Sequence, residues 1–277
     1  MIWPLLLAAA VPAAADGPAP APASAPAIDY AALVNDAIDG GRIIQAQAML
    51  AQWRSGPRPA EQPAIEVVTA RLALERHKDE EAAARFAALS AAGTSDCRAD
   101  EGWGVALLRL GRAQEAVEPL SRAVAACANR WRAWNALGVA YDTQQAWARS
   151  SAAYERAFQL TDKPAQVLNN YGQSLLKQDQ PAKAAAIFEK ARELAPGDTR
   201  IIANLDAAYV RSGQEIARRP GDSADEWAQR LSHAGQVALE MGEAAKAQAY
   251  FSRAVTEADS FAPKAAAALA KMGNQKP

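Results

Sequence analysis

Residues 131–164, WRAWNALGVAYDTQQAWARSSAAYERAFQLTDKP, and residues 165–198, AQVLNNYGQSLLKQDQPAKAAAIFEKARELAPGD, repeat one pattern with no residue between them. Gly138 and Gly172 are 34 residues apart, and Gly104 stands the same step earlier. Ala116, Ser150 and Ala184 keep that step, as do Ala123, Ala157 and Ala191. Leu120, Tyr154 and Phe188 supply one large residue per unit. Several independent columns sharing one period are the mark of stacked supersecondary units, each unable to bury its apolar face alone.

The composition agrees and excludes several classes. Of 277 residues half are apolar, but only 6% are aromatic, so alanine carries the hydrophobic count. An alanine-rich, charge-balanced chain points to helices. The 30 basic and 31 acidic residues leave a net charge of −1, without the basic footprint of a nucleic-acid binder. Two histidines and two cysteines in the whole chain leave little from which to build a zinc or haem site, and no cofactor is expected.

The unit 131–164 carries Trp134, Leu137, Gly138 and Tyr141, then Tyr154 and Ala157; the unit 165–198 carries Tyr171, Gly172, Leu175, Ala184, Phe188, Ala191 and Pro196. This spacing resembles the tetratricopeptide repeat. The resemblance implies an all-α solenoid of antiparallel helix pairs, A and B, stacked into a superhelix. It also explains the small columns: where helix A crosses helix B, only Gly, Ala or Ser lets the backbones approach. The frame extends to units 27–60, 63–96, 97–130 and 228–261, with Val34 at the glycine position of the first and Trp53 where alanine is expected. After residue 198 one more helix A is clear, through Ile202, Leu205 and Tyr209. Its helix B is missing, because Arg218-Arg219-Pro220-Gly221-Asp222 interrupts it. The organisation read from the chain is therefore repeats over 28–213, an interruption or hinge at 214–222, a final helix pair over 223–261 opened by a Ser223/Glu226 capping box, and a capping helix at 262–273.

The first 15 residues, MIWPLLLAAAVPAAA, hold an apolar run of ten, half of the roughly 20 that span a bilayer. The run ends in Ala13-Ala14-Ala15, a small-residue cleavage pattern, so 1–15 resembles a secretory signal peptide and 16–27 a Pro/Ala linker. The expectation is a periplasmic or secreted protein, cleaved after Ala15 and without stable membrane insertion afterwards. Cys97 opens helix A of unit 97–130 and Cys127 lies at the end of its helix B, the same edge of the hairpin. In an oxidising compartment a disulfide is expected there, closing a loop of about 30 residues for roughly 3–4 kcal/mol; two inert, buried thiols are the alternative.

Motifs for catalysis are weak. Ser174-Leu-Leu-Lys177 matches the S-x-x-K of penicillin-recognising enzymes, but the companion motifs are absent and both residues fall inside a helix A. Gly102-Trp103-Gly104 has no preceding strand, so it does not read as a nucleotide loop. No enzyme is expected. More informative is the recurrence of Asn135, Asn169, Asn170 and Asn204 on helix A, away from the packing columns. Asparagine costs helix propensity, and a row of it suggests amides aimed into the concave groove. In peptide-binding members of the family, asparagines there bond an extended ligand. Arg132, Lys177, Arg200 and Arg211 would add a positive field for acidic segments or a C-terminal carboxylate. Val139 and Gln173 stand where the second asparagine of chaperone-tail receptors is expected, which disfavours that ligand. Trp131 either packs under the preceding unit or offers a binding surface. The reading is an exported, non-enzymatic scaffold whose partners are protein or peptide segments. The stretch Gly235–Val255, GQVALEMGEAAKAQAYFSRAV, resembles the repeat proteins of the tight-adherence (Flp) pilus system. An envelope-biogenesis or cell-division coordinator, or the adaptor of a cell-wall enzyme, would share this architecture.

Overall fold

A computed structural model describes residues 28–56, 59–94, 96–260 and 262–273. The signal and linker segments, 1–15 and 16–27, lie outside the described residues. Five consecutive helix pairs come first: α1 (Tyr30–Asp39) with α2 (Ile43–Arg54), α3 (Gln62–Glu75) with α4 (Asp79–Ala91), α5 (Cys97–Arg109) with α6 (Ala113–Ala126), α7 (Trp131–Thr143) with α8 (Trp147–Leu160), and α9 (Pro164–Lys177) with α10 (Pro181–Leu194). Then come the unpaired α11 (Thr199–Arg211), the pair α12 (Ala224–Glu240) and α13 (Ala244–Thr256), and α14 (Pro263–Gly273). Each helix packs on its sequence neighbours, and successive helices A also touch one another. The described residues contain no strand, and none of their helices is long and apolar enough to cross a membrane. The fold is an all-α solenoid.

The small columns do what the crossing geometry demands. A Cβ added at Gly138 would stand 2.7 Å from the Tyr154 ring, and one at Gly172 2.5 Å from Phe188, well inside the 3.5–4.0 Å optimum for carbon contacts. Gly235 meets Phe251 in the same way at 2.7 Å, and Gly104 meets Leu120. Tyr154 and Phe188 are fully buried on the other side of these contacts. Gly102 turns out to be a second packing glycine, facing Phe86 of the preceding unit, so both glycines of Gly102-Trp103-Gly104 serve packing. In the first unit Trp53 is buried, stacks on Tyr30 at 6.2 Å and donates its indole N–H to Glu61 at 3.0 Å.

A further column lies in the A–B turns. His77, Gln145 and Asp179 have φ of 54° to 56°, and Gly111 and Gly213 occupy the same register with φ of 73° and 81°. The turn requires a left-handed residue at each of these positions, glycine's natural conformation.

The interruption follows the turn at Gly213. Residues 214–223 form no helix B; instead Ile216 is buried against α11 and α12. The glycine column, carried one step past Gly172, arrives at Asp206, which is 1% exposed. Arg230 of α12 donates two hydrogen bonds to its carboxylate, both at 2.7 Å, and a third to Asp222 at 2.5 Å. Arg219 closes the knot on Asp222 at 2.5 and 2.9 Å. The segment 214–222, read from the sequence as an interruption or hinge, is bonded through Asp222 to Arg230 of α12 and to its own Arg219. The capping box at Ser223 and Glu226 then opens α12.

Candidate functional site

Helices A of the last two complete units, α7 and α9, and the unpaired α11 place the four asparagines side by side along the inner face. Asn170 donates its amide N–H to Asn135 at 3.1 Å, and Asn204 donates to Asn169 at 2.8 Å, so the amides form a diagonal ladder across α7, α9 and α11. Asn135 is buried and the other three are half-buried. A ladder bond uses one donor of each outer amide, leaving Asn170 and Asn204 a second N–H and a carbonyl for a ligand. Asn169 and Asn170 open on a cleft of about 610 Å³ beside Arg200. Asn135 and Asn170 also border a second cleft, of about 620 Å³, lined by α1, α3, α5 and α7.

The expected positive field is not assembled. Arg132 donates to the side chain of Asp39 at 3.3 Å and to its main-chain oxygen at 3.1 Å. Arg200, 81% exposed, pairs with Asp198 at 3.0 Å, and Arg211 faces Glu240 at 3.5 Å. Only Lys177 of the four is free of an ion pair among the described residues, and it is exposed. Helical rise also separates them: Arg200 and Arg211 sit at opposite ends of α11, about 16 Å apart. Trp131 is half-buried, packs against the cluster of Tyr154, Ala157 and Val167, and lines the second cleft together with Glu101, Gly102 and Val105 of the preceding unit. The Arg132 guanidinium lies over its ring at 5.0 Å.

Three side chains of the inner face are not apparent from the period. Arg71 is buried in α3, donates to Asn35, and reaches Asp39 at 2.6 Å. Glu101 of α5 is held by Arg130 through two bonds of 2.6 and 2.9 Å. Burial disfavours the charged guanidinium of Arg130, but the Glu101 carboxylate outweighs it and raises the pKa above the ordinary arginine value. The signal for Arg71 was a lone arginine inside the apolar run AIEVVTARLALE.

The apparent catalytic motif resolves into packing. Ser174 is fully buried and donates to Asp142 at 2.6 Å, while Tyr154 donates to the same carboxylate at 2.8 Å. Burial first, and then the Asp142 charge, push the Tyr154 phenol upward, so it stays a donor. This triad stitches α7, α8 and α9 together. At the edge of the next hairpin toward the N-terminus, Cys97 and Cys127 are joined, with their Cα atoms 6.0 Å apart.

Two family models described as tetratricopeptide repeat match the chain, at residues 68–130 and 165–198. No curated protein sequence is similar enough to count as a relative. Among solved structures, a tetratricopeptide repeat protein from Parabacteroides merdae is 14% identical, covers 89% of this chain and 98% of its own, and superposes with a TM-score of 0.53. A thermophilic tetratricopeptide protein from Thermus thermophilus is 18% identical over 66% of this chain and 98% of its own, TM-score 0.52. The pilF protein of Pseudomonas aeruginosa is 16% identical over 76% and 98%, TM-score 0.53. At these identities the likeness is one of fold. Repeat models, period and crossing geometry converge: the chain carries tetratricopeptide repeats, matched at 68–130 and 165–198, in an all-α solenoid.

Proposed function

We propose that the chain is a non-enzymatic scaffold that holds an extended protein or peptide segment along α7, α9 and α11. The observation that carries this reading is the amide ladder, three of whose members, Asn135, Asn169 and Asn170, line two adjoining clefts. Main-chain hydrogen bonding from such a lining gives affinity with little demand on partner sequence. Arg200 adds an exposed charge at the cleft mouth, where an ion pair contributes typically ~0.2–1 kcal/mol and is weakened by salt.

Export belongs to the same proposal. It is supported by the short apolar run ending in Ala13-Ala14-Ala15 and by the Cys97–Cys127 bridge, a pairing that persists in oxidising compartments. Mass spectrometry of the native protein should find the N-terminus at Asp16; an intact Met1 in a cytosolic fraction would remove the periplasmic assignment. Within the envelope, Flp-type pilus assembly is the process favoured by the resemblance of Gly235–Val255.

The groove is tested by replacing Asn170 and Arg200 together with alanine. Partner binding should fall roughly tenfold, with helicity and melting near wild type, because the lost ladder bond contributes only about 0.5–1.5 kcal/mol. Unchanged binding would exclude this groove as the working surface.

A further inference from the structure

The concave face contains a contact that repeat stacking does not require. Asp39 ends α1, Arg71 lies on α3 and Arg132 opens α7, so the contact spans from the first unit to the fourth, 93 residues along the chain. Among the described residues, the hydrogen bonds joining α1 to α7 all run between Asp39 and Arg132. One oxygen of Asp39, Oδ1, serves both guanidinium groups, at 2.6 Å to Arg71 and 3.3 Å to Arg132. We propose that Arg71 and Arg132 form a carboxylate-reading site in the groove and that Asp39 is its internal occupant, displaced when an acidic partner segment binds. The proposal rests on the groove reading above and names the chemistry of its partner.

Three features support exchange. The site is preorganised: Arg71 is buried and fixed by Asn35, and Arg132 is stacked on Trp131, so little side-chain freedom is lost when a ligand arrives. The internal occupant uses it incompletely. Arg132 receives one side-chain oxygen and one main-chain oxygen, whereas a carboxylate presented end-on accepts two parallel N–H bonds from a guanidinium, the stronger arrangement. The pair is also accessible, with Asp39 32% and Arg132 35% exposed, so displacement needs no unfolding. Its neighbour Arg130 differs in two respects: it is bidentate on Glu101, and both side chains are buried or nearly so. The cleft beside Asp39 continues past Asn135 to Lys163, Gln166 and Asn170, which joins this site to the amide ladder. Burial works against ionisation of Asp39, but the charge and hydrogen bond of Arg71, with Arg132 and Arg130 behind, hold its carboxyl below the ordinary value. Asp39 is therefore a charged competitor at neutral pH.

The test uses the full chain and two fluorescein-labelled peptides, hexaglutamate and hexaglutamine, read by anisotropy. Asp39→Ala and Asp39→Asn should each bind hexaglutamate roughly tenfold more tightly than wild type, with hexaglutamine unchanged. Adding Arg132→Gln to Asp39→Ala should return hexaglutamate binding to the wild-type level or below. A readout that leaves Asp39 in place uses spin labels at Ala32 and Ala152, which should separate when hexaglutamate is added to the otherwise wild-type protein. Hexaglutamate binding indifferent to Asp39, or a label distance unmoved at saturation, would overturn the proposal. If those results came with partner binding that still depended on Asn170 and Arg200, the groove reading would stand and only the carboxylate site would fall. If that dependence were missing too, both would fall.

Discussion

Gly172 and Asp206 occupy one register on consecutive helices A, yet their surroundings are opposite in kind. At Gly172 helix B crosses, and the Phe188 ring lies where a Cβ would be. At Asp206 helix B is absent, and a guanidinium from α12 reaches the position instead. The glycine is thus a consequence of the crossing rather than a property of helix A. Once the crossing partner is removed, the same site accepts a carboxylate, provided that buried arginines neutralise it. The difference extends to the groove. The amide ladder runs through the complete units and ends at Asn204, and the corresponding positions of α12 hold Ser232 and His233. In the repeated half the inner-face amides bond one another; in the interrupted half the buried polar groups form ion pairs that hold the chain together.

The sharpest way to break this comparison is Arg230→Ala. It strands the Asp206 carboxylate, 1% exposed, and leaves Asp222 to Arg219 alone, and should lower stability by about 3–5 kcal/mol in chemical denaturation. A loss below 1 kcal/mol would mean that the knot does not replace helix B. Gly172→Leu attacks the other side. Overpacking against Phe188 should cost about 1–3 kcal/mol and blunt the melting of the α9–α10 pair.

Acid offers a titration of the interrupted half. Burial opposes the ionised form of Asp222, but Arg219 and Arg230 together pull its carboxyl from 3.8 down to about 2. A carboxylate with a depressed folded-state pKa stabilises fully above its unfolded value and loses that stabilisation as the pH falls through the folded one. Between pH 4 and pH 2 the contribution of Asp222, about 2 kcal/mol, should disappear. In an Asp222→Asn protein the acid slope over that window should be correspondingly shallower. An identical slope would show that Asp222 is not the group titrating. The smallest expected effect is at the A–B turn, where Gln145→Gly relieves a φ of 54° and should stabilise by about 1 kcal/mol at most. Destabilisation there would argue that the Gln145 side chain, not its backbone, matters.

What could be read from the sequence follows from the range of the interactions. The period, the crossing glycines, the missing helix B and the capping box are local or repeat at fixed spacing, and each appears in the residues themselves. The turn column was equally periodic but was hidden because His77, Gln145 and Asp179 fill it beside glycines. The asparagines were visible as a row, although not that they bond one another, since Asn170 to Asn135 is a contact between units. Asp39 was invisible. Its partners lie 32 and 93 residues away, and only the superhelical path of the chain brings Arg71 and Arg132 to one carboxylate. For the same reason the sequence did not show that three of the four cations read as a positive field, Arg132, Arg200 and Arg211, have counter-charges nearby, whereas Lys177 has none among the described residues.

The central claim, that the repeated half presents the working surface, is tested most directly by photo-crosslinking from three exposed positions in the native cell. The positions are Gln166 on the groove side of α9, His233 on α12 beyond the interruption, and Phe158 on helix B of the fourth unit. With a benzophenone side chain at each position in turn, the account predicts one partner captured from Gln166, little from His233 and none from Phe158, with the Asn170→Ala/Arg200→Ala background abolishing the Gln166 product. Capture of that partner from Phe158 or His233 with nothing at Gln166 would contradict it.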